Sequence, residues 1–229
     1  MFGRLPTRLQ ILKLKMMSKW TLLFLIPSVI AVSWPSGRYT LIKPQSGCPY
    51  NWQEGWRHQD NEDRNNINSV SSPHHFAGSF GRNTKMYYCT KNAYSGSGSW
   101  PKGNYCILKY GLYCPSGFST GSIYWDDEDS NNANDKSGVL PSGTYNRNTK
   151  INYCCRSDGS YGTAIRLPTS RAFYLLRFTS SCQKVIGMSV REEYVKTDDE
   201  DNNNANSVSG SHPMKSGTRN TQLHYCYYY

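Results

Sequence analysis

Three acidic, asparagine-rich runs hold the densest chemistry in the chain: Asp60-Asn61-Glu62-Asp63, Asp126-Asp127-Glu128-Asp129 and Asp198-Asp199-Glu200-Asp201. Each continues into further asparagines that end at Asn68, Asn134 and Asn206. Carboxylates and amides this close together suit a hard cation such as Ca²⁺, which takes about six to eight oxygens. Asp60, Glu62, Asp63, Asp126, Glu128, Asp129, Asp198, Glu200 and Asp201 are therefore the candidate calcium ligands. The spacing is not that of an EF-hand, whose turn glycine is missing. Asp and Asn also cap tight turns by accepting from nearby backbone N–H groups, and a run that recurs three times fits that reading equally well.

Arg82, Arg147 and Arg219 each open an Arg-Asn-Thr triplet. Three guanidiniums gathered about one axis would grip carboxylates through paired N–H bonds. Alternatively, each arginine pairs with the acidic run of its own unit and locks it. Trp56 and Trp125 are candidate stacking surfaces for sugar rings, since a tryptophan offers an apolar face with a polar edge. They stand where the neighbouring unit has Ser122 and Gln59, so a shared fold does not require them. Trp34, Trp52 and Trp100, by contrast, recur as aromatics and are expected in the core.

Catalysis finds little footing. No G-x-S-x-G elbow or H-E-x-x-H helix is present. His74 and His75 are adjacent, and neighbours on a strand point to opposite faces. Paired carboxylates hydrolyse glycosidic bonds at defined separations, but a triplicated cluster is a poor sign of one asymmetric active site. The chain is not expected to be an enzyme.

The elements that must position these residues begin after a leader. Arg4, Arg8, Lys13, Lys15 and Lys19 precede an apolar run of 13 residues, Trp20–Val32, with small Ala31 and Ser33 at its end. That is the pattern of a signal peptide over 1–33. The run is short of the roughly 20 apolar residues that span a bilayer, so no transmembrane anchor is expected. The remainder carries 21 basic against 16 acidic side chains, a net +5 in place of the whole chain's +10. So mild a bias suits anionic surfaces and lacks the dense basic patch of a nucleic-acid binder. Secretion to the extracellular space also suits the even count of eight cysteines, read as four disulfides. No Asn-x-Ser/Thr acceptor for N-glycosylation occurs.

The rest of the chain, 34–229, is a single domain made of three diverged units, about 34–99, 100–164 and 165–229. Two open on Trp-Pro (Trp34, Trp100) and the third on Leu167-Pro168. From the first acid of each run to the Asn of its triplet the gaps are 23, 22 and 22 residues, and from that Asn to a cysteine always 6. Apolar and polar side chains alternate before that cysteine, as at Met86 and Tyr88 or Leu223 and Tyr225, which predicts a half-buried closing strand. Equivalence of the units pairs Cys48 with Cys89, Cys114 with Cys154 and Cys182 with Cys226. Cys106 and Cys155 are left for each other. The expected fold is all-β, three pseudo-symmetric units of about 66 residues, a disulfide-stapled β-prism with a β-trefoil as the alternative.

With these motifs in hand, the chain resembles the C-terminal domain family of apextrin, ApeC. The likeness is carried by Trp34-Pro-Ser-Gly-Arg-Tyr39, Gly47-Cys48-Pro49, Gln59-Asp-Asn-Glu-Asp63, Trp100-Pro-Lys-Gly-Asn-Tyr-Cys106 and Cys114-Pro-Ser-Gly-Phe118, and continues to His224-Tyr-Cys-Tyr227. The Cys-Pro-x-Gly-Phe start, acidic turn and final cysteine are also similar to the repeat of the vitelline membrane outer layer protein I family, a β-prism. The ApeC resemblance implies a secreted protein of innate defence, development or extracellular matrix. For some members it implies recognition of bacterial peptidoglycan or its muramyl peptides. The perforin-type domain found in some members is not expected ahead of Trp34, where the sequence reads as a signal peptide. Expected partners are therefore a bacterial cell-wall glycan or muramyl peptide, with other extracellular proteins as the alternative of a matrix or adhesion role.

Overall fold

A computed structural model describes residues 32–229. The leader over 1–33 lies almost wholly outside the described residues. What is described is all-β, with fifteen strands and no helix. No helix among the described residues is long and apolar enough to cross a membrane.

The strands fall into three sets of five. The first is β1 (Tyr39–Ile42), β2 (Gln53–Gln59), β3 (Ser69–Val70), β4 (Gly78–Phe80) and β5 (Thr84–Lys91). The second is β6 (Asn104–Lys109), β7 (Ser119–Trp125), β8 (Asp135–Gly138), β9 (Gly143–Tyr145) and β10 (Thr149–Ser157). The third is β11 (Phe173–Arg177), β12 (Val190–Thr197), β13 (Ser207–Gly210), β14 (Lys215–Ser216) and β15 (Thr221–Tyr228). In each set the fifth strand pairs antiparallel with the first, second and fourth. The third strand leaves its own set and pairs with the second strand of another: β8 with β2, β13 with β7, and β3 with β12. β6 lies between β1 and β11.

Alternation in the fifth strands does what the sequence suggests. In β5, Thr84, Met86 and Tyr88 are buried while Lys85 and Tyr87 are half-buried; from Cys89 onward both faces are covered. Inward residues of equivalent register meet in one core: Met86, Ile151 and Leu223, with Tyr88, Tyr153 and Tyr225. Tyr39, Tyr105 and Phe173, with Leu41, Ile107 and Leu175, build a second. Trp100 belongs to the second core, and Trp34 and Trp52 pack against it.

The disulfides are Cys48–Cys89, Cys114–Cys154, Cys182–Cys226 and Cys106–Cys155, the connectivity that unit equivalence gives. The first three each tie the loop ahead of a second strand to a fifth strand across 41, 40 and 44 residues. Closing loops of that size stabilises by roughly 3–4 kcal/mol each, chiefly by restricting the unfolded chain.

One expectation is corrected by the fold. Trp125 is only 1% exposed and lies in the core. It shares the inward face of β7 with Ile123, two residues away, and side chains at that spacing point the same way. Its ring is not available for stacking on a ligand.

Candidate functional site

Each acidic run begins directly after a second strand, at Asp60, Asp126 and Asp198. The chain then turns through Asn65, Asn131 and Asn203, whose φ angles of 50°, 52° and 52° lie in the left-handed region that Asn tolerates. From there it enters a third strand that belongs to a neighbour's sheet. The three turns interlock. The N–H of Glu62 donates to Asp198 O, that of Glu128 to Asp60 O, and that of Glu200 to Asp126 O. The first acid of each run caps a neighbouring turn: Asp60 Oδ2 accepts from Ala133 N–H, Asp126 from Ala205 and Asp198 from Ile67, each at 2.8 Å. In return Asn134, Asn206 and Asn68 accept the N–H of Asp60, Asp126 and Asp198 at 2.6, 2.7 and 2.6 Å.

This network sorts the nine candidate ligands into three kinds. Asp60, Asp126 and Asp198 are turn caps. Asp63, Asp129 and Asp201 pair with Arg82, Arg147 and Arg219, at 2.8, 2.8 and 3.6 Å. The exposed arginines therefore meet the acids of their own turns, the alternative to a joint carboxylate grip. Only Glu62, Glu128 and Glu200 converge, each buried, with one carboxylate oxygen apiece lying within 4.8 Å of the others. Each accepts two backbone N–H bonds, one from its own turn and one from a neighbour's, as Glu128 does from Ser130 and Asp63. Three carboxylates supply up to six oxygens, which fits the donor chemistry of a hard cation. The other six acids are committed elsewhere.

Behind these glutamates sits a second, fully buried set, Asn61, Asp127 and Asp199. Burial pushes Asp127 up to about 6, against hydrogen bonds that hold it down, and Asp199 up to about 7, the charge of Asp127 adding to the effect. Asp127 accepts from Gln59 Nε2 at 2.7 Å, and Gln59 accepts in turn from the buried Arg57. Arg57 occupies the register of Ile123 and Val195, donates to Tyr88 Oη at 2.7 Å and lies 5.6 Å from the Trp125 ring. The sequence reading missed this buried cation. Its signal was there: equal spacing from Cys48 to Asp60 and from Cys114 to Asp126 aligns Arg57 with an isoleucine.

Trp56 is placed quite differently from Trp125. It is half-buried on the outer face of β2, paired across to Tyr87 and, on its other side, to Ser137. The Lys85 ammonium sits 3.7 Å from the centre of its ring, a cation–π contact. Beside it a shallow depression of about 160 Å³ is lined by Glu54, Gly55, Trp56, Tyr87, Ser137 and Gly138. Unit two carries Ser122 and Asn152 at the places of Trp56 and Tyr87.

Disulfides, interlocked turns and a Trp-Pro opening recur along one continuous stretch, and the family comparison covers that same stretch. The profile for the C-terminal domain of apextrin, ApeC, matches residues 34–228. The chain belongs to the ApeC family. No curated protein and no solved structure matches it. Membership together with four disulfides fits an extracellular protein. In the ApeC domain, the acids that first suggested chemistry form the turn layer, and the outward aromatic stands on the side of the sheet.

Proposed function

We propose that this ApeC protein is a secreted, non-enzymatic recognition module whose ligand is a microbial cell-wall glycan, peptidoglycan or its muramyl peptides. The observation that carries the reading is the outward pair Trp56–Tyr87 beside a polar-rimmed depression. Such a pair offers a stacking face next to Glu54 and Ser137, the combination of apolar surface and few polar groups that fixes a sugar. A non-enzymatic role is supported by the state of the acids, which are bound to backbone N–H groups and arginines. We read the cyclic exchange of third strands, β8 to β2, β13 to β7 and β3 to β12, as a β-prism-like arrangement of three units in preference to a β-trefoil.

Retention of the oxidised protein on insoluble peptidoglycan, with chitin and cellulose as controls, tests the reading. Wild type is expected to be retained selectively, and Trp56→Ala about tenfold more weakly with an unchanged melting temperature. A parallel arm in EDTA reads whether a cation held by Glu62, Glu128 and Glu200 is needed. Absence of retention on every polymer would overturn the wall reading in favour of a matrix or adhesion role among extracellular proteins.

A further inference from the structure

A second cleft, larger than the depression beside Trp56, opens where the first two units meet. It is a shallow, open cleft of about 560 Å³ lined by Arg38, Tyr110, Lys136, Leu140, Pro141 and Tyr145, among others. No acidic residue lines it. The Arg38 guanidinium lies 4.8 Å from the centre of the Tyr110 ring and 6.0 Å from that of Tyr94. Its Nε is buried without a hydrogen-bond partner. Lys136 also lines the cleft, its ammonium 5.6 Å from the centre of the Tyr145 ring. The floor is tied together before any ligand arrives. Gly111 N–H donates to Ser142 Oγ at 2.9 Å, that hydroxyl donates to Gly111 O at 3.1 Å, and Ser142 N–H donates to Lys109 O at 2.7 Å.

The two cations are not demanded by the shared fold. Strand register places Asn104 and Ala172 at the position of Arg38, immediately before Tyr105 and Phe173. It places Val208 and Val70 at the position of Lys136 in the other two junctions. The same architecture is thus built twice without either charge. Arg38 forms no ion pair among the described residues and lines a cleft without acids, so its guanidinium lacks the counter-charge that a planar anion supplies. The rest of the lining mixes the rings of Tyr110 and Tyr145 and the side chains of Leu140 and Pro141 with Ser137 and Ser142, so it offers an organic body both apolar and polar contacts that a bare inorganic ion would not use.

We infer that the cleft between the first two units binds the carboxylate of a small organic ligand, held by Arg38 and Lys136. Two sources share that chemistry, a uronic acid and the free carboxyl end of a peptide. The inference stands apart from the wall-glycan reading, which rests on Trp56.

Calorimetric titration of the oxidised protein tests it with five soluble probes: an oligo-glucuronate, its methyl ester, a short peptide with a free C-terminus, the same peptide amidated, and inorganic phosphate. One of the two acids is expected to bind, and its ester or amide at least tenfold more weakly. Lys136→Val and Arg38→Asn, which install the residues of the other units, are expected to weaken binding about tenfold and to abolish it respectively. Binding of neither acid, equal binding of acid and neutral form, preference for phosphate, or indifference to Lys136→Val would each overturn the inference. Lys136 is exposed, so that variant reports even if Arg38→Asn misfolds.

Discussion

The layer of acidic turns and the junctions between units obey opposite rules. In the turn layer the capping and pairing positions do the same job three times. Asn134, Asn206 and Asn68 accept equivalent N–H bonds, and Arg147, Arg82 and Arg219 hold equivalent acids. At the junctions the three copies part company. Gly55 and Gly121 admit a neighbouring carbonyl so closely that a Cβ would meet it at 2.3 and 2.1 Å. The third copy instead has Glu193, whose buried carboxylate accepts from His75 N–H at 3.0 Å and from Tyr174 Oη at 2.5 Å. The first junction has Arg38 and Lys136 where the others have neutral residues. Repetition marks what the shared turns require, and divergence marks where a particular chemistry is free to settle.

The sharpest way to break the comparison is to remove one member of the repeated layer. Asn134 Nδ2 donates to Asp127 Oδ2, Asn146 O and Arg147 O, while its Oδ1 accepts from Asp60 N–H in the neighbouring turn. Asn134→Ala leaves these groups unpaired in a half-buried place, at a cost of about 2–3 kcal/mol. Urea unfolding of the oxidised protein measures it. A loss below about 1 kcal/mol would mean that the turns do not hold the units together.

A smaller effect is expected where the layer departs from its own symmetry. Asn61, Asp127 and Asp199 are equivalent, yet only one is neutral by type. Asp199 is raised from the ordinary 3.8 to about 7, mainly by burial. The folded state thus keeps a proton that the unfolded chain releases near pH 4, so stability from this group is lost as pH rises from about 4 to about 7. Asp199→Asn removes that dependence. Melting curves are expected to show no gain near pH 4 and a gain of about 1–3 kcal/mol above pH 7, after the cost of an amide N–H like the unpartnered Nδ2 of Asn61. A gain that does not change with pH would refute the assignment. Asp127→Asn should gain less, because Gln59 Nε2 already donates to that carboxylate.

What the sequence made legible was local or fixed by equal spacing. Alternation before Cys89 gave the fifth strands, and matched intervals gave the cysteine pairs. Turn chemistry at Asp60, Asp126 and Asp198 followed from residue type. The convergence of Glu62, Glu128 and Glu200 was not legible among nine acids, because which carboxylate faces the others depends on how three distant turns interlock. Trp125 was misplaced because lack of repetition is no measure of exposure. Its parity with Ile123 on one strand was the better guide. Arg38 went unremarked inside a family motif, since its meaning lies in Tyr110 and Lys136, far along the chain.

The smallest effect separates the two readings of the triplet arginines. Arg82 is exposed and meets Asp63 at 2.8 Å, with Asp63 itself half in water. Ion pairs in that setting contribute little, because solvent screens them and two long side chains must be held still. Arg82→Ala should therefore leave the melting temperature nearly unchanged in low salt and wholly unchanged in high salt. Wall retention should also stay the same, since Asp63 holds this guanidinium and no ligand does. A marked loss of retention in Arg82→Ala with the fold intact would show instead that the guanidinium releases Asp63 and serves the ligand. In that event Arg147→Ala and Arg219→Ala should fail alike, because the turn layer repeats.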